Sequence, residues 1–466
     1  MTATAPARSS GDVAADTAVL RALRRIRGPQ TQRNREFWLL LFAVVVAGAA
    51  LTLVQLGALG RIDPMILLIG GGLAVLVFAL HIVLRFVASD ADPFVLPIAT
   101  LLTGVGIAEI YRLDIAAHRV GFDAYSNKQL MWMAISVIGA IALVIFLRNY
   151  RVLYRFTYLS GLTGILLLIL PFVPGLGVDD ANADVWINIA GLGIQPGELA
   201  KIFLAIFFAG YLVRTRESLS SVGKRFAGIT WPRMRELGPV IVVWLISLAI
   251  IVAQHDLGTG VLIFGMFIVM LYVATGKTSW VLIGVAGVVI GVAIVSQFLT
   301  YVQNRFNTWL NAFNPDLMED QSYQLTQGIF GLAHGGLLGT GLGQGRPQIT
   351  PVAESDFIIT SLGEEIGLIG LFALLCLYLV FVSRGLRIGV AGQDDFGKLL
   401  AVGVSFTIGL QVFIMVGGVT RVIPLTGLTT PFLAAGGSSL IANWLIVGLL
   451  LRISDGVRRQ PRVVIG

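Results

Sequence analysis

The chain has 466 residues and a formal net charge of +7, and 56% of its residues are hydrophobic whereas 13% are charged. Soluble domains carry about 25% charged residues, so a water-soluble globule of this composition would expose far too much apolar surface. The composition therefore excludes an ordinary soluble domain and predicts a membrane protein. In a membrane protein the location of positive charge matters more than its sum, and we expect no nucleic-acid partner.

Residues 1–36 are polar and rich in arginine, and we interpret them as a cytoplasmic tail that is retained rather than cleaved as a signal peptide. Twelve apolar runs follow, and a membrane-spanning helix needs about 20 apolar residues. The sequence therefore predicts an all-α polytopic membrane protein with about twelve transmembrane helices. We place the spans at 37–58, 64–86, 93–111, 129–147, 155–173, 198–213, 238–254, 257–275, 279–299, 363–383, 397–417 and 431–452.

The distribution of positive charge predicts the orientation. An even number of spans puts both termini on one side, and with the N-terminus inside, 25 of the 33 Lys and Arg residues fall in inside segments. Because cytoplasmic loops carry the excess of Lys and Arg, we expect both termini to be cytoplasmic. Two of the outside segments, 174–196 and 300–362, are long, and long loops without a domain of their own are usually functional.

Cysteine and histidine are too scarce for the common metal sites. The chain has one cysteine, Cys376, and four histidines, so neither an intrachain disulfide nor a cysteine metal cluster can form. No two histidines are four residues apart, which is the spacing of a helical zinc site. We therefore assign no residue as a metal ligand.

Ionisable residues at membrane depth are costly and usually functional. Glu198 and Lys201 share one helix face at the outer start of a span, and they either form an internal ion pair or hold an anionic lipid headgroup. Asp256 lies in a tight outside hairpin, where it either caps the next helix or belongs to the site.

Further charged residues stand where the long outside segment meets the bilayer. Asp356 and Glu364 are there, and desolvation would raise the pKa of such a carboxyl group, which suits Asp356 to general-base work. Helix capping explains these acids equally well. Arg346 is one of the few outside cations, so it is either an anion contact or an interfacial arginine that extends towards the headgroups.

A set of short sequence motifs occurs in a fixed order along the chain, and any one of them alone would be weak evidence for a family. Together they resemble the SEDS family (shape, elongation, division and sporulation) across residues 93–455. The motifs are Trp186-Ile187-Asn188, Gln195 to Lys201, Gln254 to Thr259, Tyr323-Gln324 followed by Gly335 to Gly339, Glu354 to Ile358, Gly363 to Gly367, Pro424 to Leu428 and Gly436 to Ser439.

The resemblance implies a division of the chain. Residues 93–455 match a ten-span glycosyltransferase core that contains the long outside loop 300–362, and 456–466 form a cytoplasmic tail. Residues 37–92 add two N-terminal spans that the family usually lacks. The Thr426 to Thr430 string and the short tail look more like an actinobacterial RodA than an FtsW.

The resemblance also implies an activity, which is polymerisation of lipid II into glycan strands at the outer face of the plasma membrane. Asp356 inherits the role of an essential acidic residue, and we assign it as the general base. We assign substrate binding to six residues: Glu198, Lys201, Trp186, Arg346, Asp256 and Glu364. The expected partners are lipid II, the nascent glycan strand, membrane lipids and a class B penicillin-binding protein (a transpeptidase).

Three positions depart from the family pattern. Val185 stands where an arginine commonly precedes the tryptophan, Gly197 replaces a usual serine, and Ala434-Ala435 replaces a common Ser-Tyr. The missing arginine and hydroxyl groups remove headgroup contacts that the family pattern implies.

We expect glycosyl transfer with inversion, with Lys201 and Arg346 stabilising the phosphates. A divalent cation, Mg²⁺ or Mn²⁺, could also stabilise the phosphates, although the sequence shows no dedicated set of oxygen ligands. The alternatives are an FtsW-type polymerase of the division septum, a lipid II flippase or other transporter, and a scaffold without catalytic activity. Transporters usually show related halves and a charged site at the midplane, whereas the notable ions here cluster towards the outer face.

Overall fold

The structure is a computed structural model that describes residues 10–178, 184–189, 191–220, 225–226, 229–230 and 238–459. Helices dominate these residues, and the strands form two short antiparallel hairpins. The helices are α1 (Ser10–Leu59), α2 (Pro64–Val87), α3 (Val95–Ala116), α4 (Tyr125–Phe146), α5 (Thr157–Ile169), α6 (Pro196–Ser220), α7 (Gly238–Ala253), α8 (Leu257–Thr275), α9 (Ser279–Phe298), α10 (Thr300–Leu310), α11 (Pro315–Met318), α12 (Tyr323–Gly335), α13 (Ile358–Ala391), α14 (Asp395–Val419) and α15 (Gly437–Arg459). The strands are β1 (Ile187–Ile189), β2 (Leu192–Ile194), β3 (Arg225–Phe226) and β4 (Ile229–Thr230).

The predicted fold class is confirmed, because each of the twelve predicted spans overlaps one of the helices. Among the described residues, eleven helices are long and apolar enough to cross a membrane, and α7 contributes a shorter apolar stretch, Ile241–Ala253. The long segment between α9 and α13 is not a free loop, since it contains α10, α11 and α12. The chain is a multi-pass membrane protein.

The predicted start of the last span is six residues too early. The helix begins at Gly437 rather than at 431, because Phe432 has a φ of 67° and cannot continue a right-handed helix. Ala434 and Ala435 lie in this non-helical stretch, where the Ala435 N–H donates to the Glu354 carbonyl oxygen at 2.7 Å. The turn before α15 is thus joined to the segment that precedes α13.

Successive long helices run in opposite directions, so the bundle has two faces. We call the face from which α1 starts and at which α15 ends the terminal face. The opposite face carries the connection 299–357, and we call it the loop face. Helices α6, α14 and α15 lie in the centre of the bundle, whereas α9 packs mainly against α8 and exposes most of its apolar side chains.

The two N-terminal helices form a hairpin that packs on the core, with α1 along α3 and α2 along α4. Small residues allow a close approach: a Cβ added at Gly104 of α3 would lie 2.4 Å from the Cβ of Ala47 in α1. Within the hairpin, the buried Glu36 carboxylate pairs with Arg33 at 2.7 Å and with His81 at 2.6 Å.

Charged side chains join α1, the residues before α3 and the end of α15 at the terminal face. The buried Asp92 carboxylate accepts hydrogen bonds from the guanidinium groups of Arg384 and Arg458, the latter at 2.7 Å. Arg458 also donates to the Gln32 side chain at 2.7 Å. The start of the hairpin, the start of the core and the end of α15 therefore meet at one point.

Candidate active site at the loop face

A short turn before α13 positions Asp356. Phe357 ends this turn, and its fully buried ring packs so closely on Gly328 of α12 that a Cβ there would lie 2.7 Å from the ring. The Ser355 N–H donates to the Val352 carbonyl oxygen at 3.1 Å, and Val352 itself has a φ of 54°. The anchored phenylalanine and the turn hold the Asp356 carboxylate at the loop face.

The surroundings of Asp356 favour its neutral form more than water does. Burial raises the pKa of Asp356 to about 6, and the negative charges of Asp256 and Glu354 act in the same direction. A hydrogen bond from Ser355 and the positive charge of Arg305 oppose this shift. A carboxylate that titrates just below neutral pH is suited to general-base catalysis.

Asp256 and Arg305 lie near Asp356, although all three come from different parts of the chain. Asp256 caps α8, because its Oδ1 accepts the Thr259 N–H at 3.0 Å. Arg305 of α10 donates to the Leu425 carbonyl oxygen at 2.7 Å. A Cβ added at Gly427 would be 3.8 Å from both the Arg305 Nη2 and the Asp356 Oδ2. Arg305 and Asp356 thus flank the same glycine.

The environment of Asp256 resembles that of Asp356. Burial raises the pKa of Asp256, the negative charge of Glu198 adds to the shift, and hydrogen bonding to Thr259 and the charge of Arg305 oppose it. Arg305 therefore acts electrostatically on both carboxylates. The three groups form one electrostatic cluster, in which the charge of Arg305 favours the ionised form of both acids.

Glu198 and Lys201 form a buried ion pair at the start of α6. Lys201 Nζ lies 2.5 Å from Glu198 Oε2 and 3.0 Å from the side-chain oxygen of Gln411 in α14. Gln411 in turn donates to the Thr429 carbonyl oxygen at 2.8 Å. The structure thus shows the internal pair that the i, i+3 spacing predicts, and a third side chain, Gln411, joins it to the segment that holds Gly427.

Trp186 lies beside the hairpin of β1 and β2. A Cβ added at Gly193 of β2 would be 3.6 Å from its ring. The residue two positions earlier, Asp184, donates its N–H to the Gln254 carbonyl oxygen at 3.2 Å. Because Gln254 is next to the His255-Asp256 turn, this hairpin lies next to the cluster. Val185 is buried.

Glu364 and Arg346 lie in a second group of charges, under the segment that follows α12. The buried Glu364 Oε1 accepts the Arg346 N–H at 2.8 Å and pairs with His334 at 3.1 Å. The Arg346 side chain is exposed at the loop face. Glu364 is therefore engaged by the backbone of this segment, and only Arg346 of the two presents its charge to solvent.

The same group contains ionisable residues that our sequence analysis missed. Arg112 of α3 pairs with Glu365 at 2.9 Å and donates to the Gly345 carbonyl oxygen at 2.7 Å. Glu109, one turn earlier in α3, is buried and neither of its carboxyl oxygens has a hydrogen-bond partner within the described part of the chain. The signal was available for Glu109, because it is ionisable and lies within the predicted span 93–111, whereas Arg112 lies one residue beyond that span.

The described residues do not fit a resident metal ion. No group of three or more His, Cys, Asp or Glu side chains within the described ranges could hold one. The positive charge that acts on both Asp256 and Asp356 is that of Arg305.

The chain is similar in sequence to known proteins. The model of the FtsW/RodA/SpoVE family of cell cycle proteins matches residues 93–459. The peptidoglycan glycosyltransferase RodA of Mycobacterium tuberculosis is 42% identical over 436 residues, which cover 93% of this chain and 92% of that protein. A protein of Geobacter metallireducens, named probable peptidoglycan glycosyltransferase FtsW, is 32% identical over 378 residues, which cover 79% of this chain and 96% of that protein.

Solved structures share the fold. A chain from a peptidoglycan synthase complex that coordinates polymerization and crosslinking is similar with a TM-score of 0.62 and 24% identity, and the match covers 78% of this chain and 98% of that chain. The rod shape determining protein RodA of Thermus thermophilus is similar with a TM-score of 0.55 and 22% identity, and the match covers 81% of this chain and all of that one.

Proposed function

This chain belongs to the FtsW/RodA/SpoVE family of cell cycle proteins and is a peptidoglycan glycosyltransferase; we propose that it polymerises lipid II into glycan strands at the outer face of the plasma membrane. The observation that carries this proposal is the cluster of Asp356, Arg305 and Asp256 at the loop face, where the pKa of Asp356 is raised to about 6. The higher identity to a RodA than to an FtsW supports a role in cell elongation and shape rather than at the division septum.

In the proposed mechanism Asp356 is the general base. The hydroxyl of an acceptor sugar transfers its proton to the Asp356 carboxylate while its oxygen attacks the anomeric carbon of the donor. The bond between that carbon and the pyrophosphate oxygen breaks, and the pyrophosphate leaves with the lipid. A single displacement inverts the anomeric centre, and a well-placed base contributes about 10²- to 10⁴-fold to such a step.

Cations at the loop face would stabilise the leaving pyrophosphate. Arg305 lies beside Asp356, and Arg346 exposes its side chain at the same face; a guanidinium can form two parallel hydrogen bonds to a phosphate. Lys201 is engaged by Glu198 and Gln411, so we propose that this pair acts by holding the start of α6 beside Asp256. Trp186 and Glu364 would shape the edges of the site. A divalent cation that would help to stabilise the phosphates stays a prediction, and no step here uses one.

We propose that the loop face points outwards, because this places most Lys and Arg residues inside. The partner that we propose is a class B penicillin-binding protein. One observation supports it: the structural neighbour comes from a complex that combines polymerization with crosslinking.

The test is polymerisation of purified lipid II by the detergent-solubilised protein with its class B partner, comparing the wild type with Asp356→Ala. We expect glycan ladders from the wild type and none from the variant. Equal ladders from both would exclude Asp356 as the base. The absence of ladders from either would contradict the polymerase function and favour the transporter or scaffold.

A further inference from the structure

The loop-face end of α1 contacts a glycine-rich segment, residues 339–345, which we call the glycine loop. A Cβ added at Gly57 of α1 would lie 2.3 Å from the Leu342 carbonyl oxygen. A Cβ at Gly343 would lie 2.8 Å from the Val54 carbonyl oxygen and from the Ala58 nitrogen. The Gln344 side chain donates to the Gly57 carbonyl oxygen at 3.2 Å. The two backbones therefore touch directly, with no room for a side chain between them.

An apolar side chain extends this contact. Leu342 packs against a small cluster formed by Ala50, Leu51 and Val54 of α1 and Ala108 of α3. The glycine loop is thus seated in the groove between the first hairpin helix and the first core helix.

The other side of the glycine loop is bound to the first turns of α13. The N–H groups of Thr340 and Gly341 donate to the carbonyl oxygens of Glu364 and Glu365 at 3.0 and 2.9 Å. The Gly343 N–H donates to the Glu365 carboxylate at 2.7 Å. The loop therefore lies between α1 on one side and the start of α13 on the other, and Asp356 directly precedes α13.

We propose that the N-terminal hairpin, which lies outside the family-matched core, positions the active-site segment by clamping the glycine loop against the start of α13. This inference rests on the proposed function for its consequence, although the contacts themselves do not. Four of the seven residues of the loop are glycine, which loses more conformational freedom on ordering than any other residue. Such a segment keeps one conformation only if contacts hold it, and α1 supplies those on one side of the loop.

The sequence matches show which relatives share the hairpin. The match to the mycobacterial RodA leaves too few residues of this chain unmatched to omit the hairpin. The match to the FtsW covers about the share of the chain that the core makes up. The hairpin thus accompanies the core in the RodA relative, where the clamp would act.

The experiment compares Gly57→Ala with Gly48→Ala in the full-length protein. Both changes replace a glycine of α1 by alanine and gain similar helix propensity, but a Cβ at Gly48 meets no atom within 4 Å. Hydrogen exchange of residues 339–346 reports the clamp directly. We expect Gly57→Ala to increase this exchange by about tenfold and to lower the polymerisation rate by about fivefold, whereas Gly48→Ala changes neither.

The pH profile separates positioning from loss of folded protein. Asp356 directly precedes α13, so a looser start of α13 should expose its carboxyl group to water, and the acid limb of the rate profile should move to lower pH in Gly57→Ala. Normal loop exchange, or a lower rate with an unshifted acid limb, would overturn the proposal. If Gly57→Ala fails to insert into the membrane, Gln344→Ala serves as a second variant, because it removes one contact of the clamp. We expect it to raise the hydrogen exchange of the glycine loop two- to threefold. Unchanged exchange in Gln344→Ala would overturn the proposal. An inactive wild type with a protected loop would overturn the proposed function alone.

Discussion

At the scale of single residues, the chemistry depends on how one carboxylate is placed between charges of both signs. Asp356 is the proposed base, and removing its charge while keeping its shape tests this. We expect Asp356→Asn to lower the polymerisation rate at least about 100-fold. Glu354→Gln, a similar change two residues away, should cost less than tenfold. Rates measured from glycan ladders under identical conditions check both values, and equal losses would contradict the assignment.

The pH dependence of the polymerisation rate should depend on the charge of Arg305. Because the base must be ionised, the rate should rise with pH through about 6, the pKa of Asp356. Arg305 lowers this pKa, so Arg305→Gln should move the acid limb to higher pH. Asp256 raises it, so Asp256→Asn should move the limb to lower pH. Shifts in the same direction for both variants would contradict this electrostatic arrangement.

The raised pKa also has a cost in stability. An acid whose pKa is higher in the folded than in the unfolded state destabilises the fold once the pH exceeds the unfolded value, here about 3.8. Asp356→Asn should therefore raise the unfolding free energy at pH 8 by roughly 1–3 kcal/mol. Near pH 4 the gain should vanish. Thermal unfolding at the two pH values measures the difference.

At the scale of elements, close helix packing depends on a few glycines. A Cβ at Gly106 of α3 would lie 2.3 Å from the Leu433 carbonyl oxygen, whereas one at Gly139 of α4 meets a leucine side chain at 3.8 Å. We expect Gly106→Ala to destabilise the protein by about 1–3 kcal/mol, while Gly139→Ala is neutral or stabilising. Thermal unfolding of the two variants in one detergent makes the comparison.

The sequence predicts where the helices lie, but it does not predict which residues of different helices contact each other. Every apolar run of about 20 residues became a helix, because a membrane leaves the backbone no other way to satisfy its hydrogen bonds. The contacts between Asp356, Arg305 and Asp256 join residues far apart in the chain, and no local pattern encodes them. Family resemblance supplied Asp356, but the pairing of Lys201 with Gln411 and the ion pair of Arg112 with Glu365 required the folded chain.

At the scale of the whole molecule, the proposed orientation can be measured with two matched positions. Gln348 is exposed at the loop face, and Gln393 is exposed between α13 and α14 at the terminal face. In a Cys376→Ser background, we expect a membrane-impermeant maleimide added to intact cells to label Gln348→Cys but not Gln393→Cys. Permeabilised cells should show labelling of both, and the reverse pattern in intact cells would place the loop face inside.

The contacts of Arg458 with Asp92 and Gln32 have a consequence for the order in which the helices could be connected along the chain. The last helix ends beside the residue at which the core starts and beside the residue at which the hairpin starts. Adjacent ends are the condition under which circular permutation succeeds. A chain that starts at residue 89, and so keeps Asp92, continues through a short linker after residue 459 and finishes with residues 32–88 should therefore reach the same fold. By the same geometry, an ancestral core could have acquired the hairpin at either end of its gene without changing the path of any other helix.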